Sequence, residues 1–85
     1  MEIYFTPRFR NEFKKLPIAL QDEANEKIAL LCDHGNHKTL KVHKLHGQLD
    51  GRYSFSVNYA FRVVFMYLSK DKVALLSIGD HNVYK

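Results

Sequence analysis

The spacing of the apolar residues changes once along the chain, and that change fixes the fold class. Through the first third they recur at helical intervals: Phe9, Phe13 and Leu16, then Leu20, Ala24, Ile28 and Leu31. After Gly51 the period becomes two. In "RYSFSVN", Tyr53, Phe55 and Val57 fall on one face and Ser54, Ser56 and Asn58 on the other, the pattern of a half-buried strand. "FRVVFMYL" and "VALLSIG" follow as more buried strands, separated by the short turns "NYAF" and "SKDK". Three strands so closely spaced predict an antiparallel meander.

Upstream, "EIYF" reads as a short strand able to join one edge of that sheet. Thr6 before Pro7 is a helix opening, with a hydroxyl to cap free amides and a ring suited to the first helical position. Pro17 ends this helix, and a second runs from Ile18 to Cys32, with Gly35 as its stop. The order β-α-α-β-β-β predicts an α+β fold, with a two-helix hairpin on one face of an antiparallel sheet of about four strands.

The 85 residues suffice for a single domain, 1–85, and the six Phe and five Tyr can fill its core without disulfides. One cysteine excludes an internal bridge and suits a reducing cytosol. No apolar run reaches membrane-spanning length, and "MEIYFTPRF" lacks the apolar centre of a signal peptide. A cytoplasmic location is therefore expected. The net charge of +4, counted with neutral histidines, favours phosphate-rich or acidic partners.

Chemistry-bearing residues gather around the sheet. Arg62 alternates with Val64 and Met66, opposite the face of Phe61, Val63 and Phe65, so its guanidinium is available to a phosphate. Arg52 begins the preceding strand. His81 and Tyr84 follow the last strand in a polar tail, and Lys41, His43, Lys44 and His46 lie in the stretch leading into the meander. Taken singly, a strand arginine is most often a packed surface residue and a tail histidine a solvated one. Together they supply cations, imidazoles and a phenol without a carboxylate pair, a set suited to a phosphodiester and an unstacked base.

"CDHGNHKTLKVHKLHG" concentrates Cys32, His34, His37, His43 and His46, which invites a zinc reading. It lacks a paired cysteine anchor, and an extended backbone sends His43 and His46 to opposite faces. Three lysines between them would repel a dication. No metal site is expected.

The "LHGQLDGRYS" motif, the arginine in the second meander strand and the "GDHNVY" ending occur in the order found in the RelE/ParE superfamily of toxins, which the whole chain resembles. Within it the chain is most similar to RelE/StbE- and YafQ-like messenger-RNA interferases. The resemblance implies a type II toxin that enters the ribosomal A site and cuts messenger RNA with neither metal nor cofactor, and that a cognate antitoxin protein blocks. It implies that Arg62 contacts the scissile phosphate, that His81 is catalytic, and that Tyr84 stacks on or orients the substrate. His43 and Lys44 stand where relatives carry a histidine or lysines. The further His and Asp of YafQ-like members are replaced by Ser56 and Ala60.

RNA carries its own nucleophile, the 2′-hydroxyl. Cleavage needs a base for its proton, positive charge at the phosphorane and an acid for the leaving 5′-oxygen. The expected assignment is His43 as base and His81 as acid, with the reverse open. Arg62, Lys44 and Arg52 supply charge, Tyr84 holds the base, and Lys41 and His46 bind RNA. Two other readings share this fold: a ParE-like inhibitor of DNA gyrase, and a non-catalytic RNA- or ribosome-binding module.

Overall fold

The computed structural model describes residues 1–80, with His34 described by its backbone alone. It contains β1 (Glu2–Phe5), α1 (Pro7–Phe13), α2 (Ile18–Leu31), β2 (His43–Lys44), β3 (Tyr53–Ser56), β4 (Arg62–Ser69) and β5 (Lys72–Gly79). The five strands form one sheet in the order β1-β5-β4-β3-β2. The meander is antiparallel as expected, whereas β1 joins the edge parallel to β5, making the sheet mixed. The first strand after the helices, β2, runs opposite to β1, and the alternating directions of β2, β3, β4 and β5 then bring β5 parallel to β1. β2 is a strand of two residues, too short to carry a periodic signal.

Local chemistry sets the helix ends. Thr6 Oγ1 accepts from the Phe9 amide at 3.2 Å and donates to the Leu75 carbonyl at 2.7 Å, so one hydroxyl caps α1 and ties it to β5. Glu12 adds a second tie. One of its carboxylate oxygens accepts from Ser77 Oγ at 2.8 Å and the Ile78 amide at 3.1 Å. α2 ends at Leu31 with Cys32 as its C-cap, as expected, but without a left-handed glycine. Its final carbonyls are instead met by side chains: Asn36 Nδ2 donates to Leu30 at 3.2 Å and His37 Nε2 to Leu31 at 3.1 Å.

The core lies between the helices and one sheet face. Phe9, Ala24, Ile28 and Leu31 meet Phe55, Val57, Val63, Phe65, Val73, Leu75 and Ile78. Cross-strand register defines its rows: Tyr53–Phe65–Leu75 and Phe55–Val63–Ile78. Residues between these rows point to the outer face, where the candidate site lies. No described helix is long and apolar enough to cross a membrane.

Candidate functional site

The outer face carries two rows that bear the candidate groups, with Val64 buried among them. The first runs His43–Ser54–Val64–Ser77 and the second Ser56–Arg62–Gly79. His43 on β2 and Arg62 on β4 thus flank β3 from opposite sides and share its outer face. Both reach toward β3: His43 Nε2 lies 3.1 Å from Ser54 Oγ, and Arg62 Nη1 donates to Ser56 Oγ at 2.7 Å. Ser54 and Ser56 are two residues apart on one strand face, so these anchor points are separated by roughly 7 Å.

The His43 hydrogen bonds specify its protonation pattern. Nδ1 lies 3.2 Å from the Lys41 carbonyl oxygen, which can only accept, so Nδ1 carries a proton. In the neutral ring Nε2 is then the basic nitrogen and accepts from the Ser54 hydroxyl. Lys41 holds its carbonyl in place with a left-handed backbone (φ 57°), an uncommon conformation for a residue with a side chain. This short turn aims the imidazole back over β3.

Other expected site residues are placed differently. Lys44 shares the cross-strand row of Tyr53 and Phe65, so alternation sends it to the face opposite His43. Lys41, His46 and Arg52 are exposed. His46 precedes a 3-10 turn, Gly47–Leu49, and Arg52 follows it, its carbonyl accepting from the Leu45 amide at 2.8 Å. Gly47 and Gly51 bracket this turn with φ of 72° and 87°, the left-handed region that glycine enters without strain. His81 and Tyr84 lie outside the described residues. β5 ends at Gly79, the cross-strand partner of Arg62, so the chain leaves the sheet beside that arginine.

Ser54 belongs to the site although alternation alone makes it a solvent-facing polar residue. Its relative exposure is 0%, and the His43 ring is bonded to its hydroxyl. The signal available in the sequence is the pair of small hydroxyl residues on one face of "YSFS". Two large side chains there would leave no room for the His43 and Arg62 groups to approach β3.

The histidine-rich stretch separates into parts with different roles. His37 is structural: besides capping α2 it receives the Tyr67 hydroxyl at Nδ1, 3.2 Å away. Cys32 is exposed, with Sγ 3.8 Å from the Ile28 carbonyl. Among the described residues no three His, Cys, Asp or Glu side chains are grouped to hold a metal ion. A separate cleft of about 280 Å³, lined by Phe5, Phe9, Arg10, Phe13 and Asn25, holds no group suited to acid–base chemistry at neutral pH.

No family model and no curated protein matches the chain, but solved structures do. The Staphylococcus aureus YoeB–YefM complex aligns with a TM-score of 0.76 at 22% identity, covering 95% of this chain and 97% of that one. YafQ from Escherichia coli BL21(DE3) aligns with a TM-score of 0.76 at 14% identity, over 98% and 96% of the two chains. The Mycobacterium tuberculosis toxin–antitoxin complex RelBE2 gives 0.71 at 17% identity, over 94% and 96%. Near-complete coverage at these TM-scores shows that this chain, with its two helices on a mixed five-stranded sheet, shares the fold of the YoeB, YafQ and RelBE2 structures.

Proposed function

We propose that the protein is the toxin of a type II toxin–antitoxin system and acts as a ribosome-dependent endoribonuclease on messenger RNA. The observation that carries this reading is the placement of His43 and Arg62 on one sheet face, each reaching toward β3. A proton acceptor and a guanidinium roughly 7 Å apart at their anchor points fit a ribose 2′-hydroxyl and its adjoining phosphate.

In the proposed reaction His43 Nε2 takes the 2′-hydroxyl proton, displacing the Ser54 hydroxyl from that nitrogen. The 2′-oxygen attacks phosphorus, and the bond to the 5′-oxygen breaks. The products are a 2′,3′-cyclic phosphate and a 5′-hydroxyl. Arg62 is a fork of five donors, one of them directed to Ser56, and it meets the charge that grows on the phosphorane. His81 gives the leaving oxygen its proton, and Tyr84 stacks on the exposed base. The reverse assignment of the two histidines balances the same proton transfers. Lys41, His46 and Arg52 are exposed cations or imidazoles that strengthen RNA binding, while Lys44, on the face opposite His43, takes no part in the proposed step. No step requires a metal or cofactor.

The partners follow from the same reading: messenger RNA in the ribosomal A site, and a cognate antitoxin in the cytoplasm. The YoeB–YefM and RelBE2 structures are toxin–antitoxin complexes, which supports the second partner.

The test is cleavage of messenger RNA on programmed ribosomes, read by primer extension. Arg62→Ala and His81→Ala are each expected to slow cleavage by about 10²–10³-fold while keeping the wild-type circular dichroism. Near wild-type rates for both would remove the site. Absence of cleavage by the wild-type protein would remove the function, and loss of gyrase supercoiling in its presence would put a gyrase inhibitor in its place.

A further inference from the structure

The turn between β3 and β4 presents a tyrosine to solvent in an unusually firm setting. Tyr59 is 96% exposed, the highest value among the exposed large apolar side chains of the described residues. Its surroundings are tightly fixed. Asn58 Oδ1 accepts from the amides of Ala60 at 2.8 Å and Phe61 at 2.9 Å, closing the turn from within. Asn58 Nδ2 donates to Glu23 Oε1 at 3.2 Å, fastening the turn to α2. The Val57 amide donates to the Phe61 carbonyl at 2.9 Å. Val57 is in the core and Phe61 packs against it. Both flanks of Tyr59 are therefore anchored, and the ring stands outside.

The geometry points to Tyr59 as a stacking platform for an unpaired base of the RNA next to the cleaved phosphate, an inference that rests on the ribonuclease reading above. Three residues separate Tyr59 from Arg62, so their backbones lie within about 11 Å. That is the scale of neighbouring nucleotides along a strand. Stacking needs an accessible ring face and tolerates any base, and an exposed tyrosine supplies that face. A protein partner would favour an aromatic anchor that enters a pocket in a closely packed interface. The clamped turn means little order has to be imposed when the base arrives, so more of the stacking energy appears as affinity. Tyr59 is thus a substrate-positioning residue distinct from the acid, the base and the charge stabiliser.

The test uses steady-state cleavage on programmed ribosomes. Tyr59→Ala is expected to raise KM by about fivefold or more with kcat kept, and Tyr59→Phe to match wild type. Messages with an abasic nucleotide on either side of the cleaved bond provide the control. On one of them, wild type and Tyr59→Ala should become equal. An unchanged KM for Tyr59→Ala overturns the inference and leaves the ribonuclease reading intact. So does a KM defect that persists on both abasic messages, which would place Tyr59 on a protein or on ribosomal RNA. If wild type cleaves no message, the ribonuclease reading fails first and takes this inference with it.

Discussion

At the scale of single residues, the site depends on a hydrogen bond that a sequence cannot display. The stretch containing His43 is visible as basic and histidine-rich, but the orientation of the ring is set by the Lys41 carbonyl and the Ser54 hydroxyl. The first contact comes from a backbone conformation and the second from a strand eleven positions away. The expected consequence is a neutral His43 protonated at Nδ1. A long-range proton–nitrogen NMR spectrum recorded well above the titration range of histidine should show that tautomer, and an Nε2-protonated ring would contradict the geometry. Ser54→Ala removes the hydroxyl from a fully buried position and is expected to cost about 0.5–1.5 kcal/mol in urea unfolding. Arg62 was legible more directly, because alternation in "FRVVFMYL" already assigns it the face opposite Phe65. Lys44 shows the limit of adjacency: it neighbours His43 in the chain and points the other way.

At the scale of elements, what was legible is what is encoded locally. The cap at Thr6, proline at the first turn of α1, the apolar stripe of α2 and the alternation of β3 all depend on residues within a few positions. The parallel pairing of β1 and the two-residue strand β2 depend on distant partners, and short-range periodicity contains no trace of either. Thr6 joins the two regimes. Its hydroxyl caps α1 and also reaches the Leu75 carbonyl on β5, so the helix start and the β1–β5 edge are secured by one atom. Thr6→Ala is expected to destabilise the protein by about 1–2 kcal/mol, measured by urea unfolding, whereas Thr6→Ser retains the hydroxyl and should stay within about 0.5 kcal/mol of wild type. Equal losses in the two variants would assign the effect to the methyl group and not to the cap.

At the scale of the whole molecule, the sheet separates two environments. One face packs against the helices and the other bears His43, Ser54, Ser56 and Arg62 beside the buried Val64, and Tyr67 lies where the core meets the His37 turn. Its ring stands edge-on to Tyr53 at 5.0 Å and to Phe65 at 5.6 Å, and its hydroxyl contacts His37 Nδ1. Burial raises the pKa of its phenol above the usual 10, and the neighbouring Tyr53 raises it further. A raised pKa means that folding favours the neutral phenol. The resulting stabilisation is fully present below the unfolded-state pKa of about 10 and is lost as pH climbs through the higher folded-state value. Global stability should therefore fall in the alkaline range above about pH 10. Tyr67→Phe should flatten that fall, because a ring with no ionisable group contributes no linkage. The same variant should lose about 0.5–1.5 kcal/mol at neutral pH with the His37 contact. Urea unfolding of both proteins across the alkaline range separates the two effects. Parallel alkaline slopes for wild type and Tyr67→Phe would show that the phenol is as easily ionised in the folded protein as in the unfolded chain.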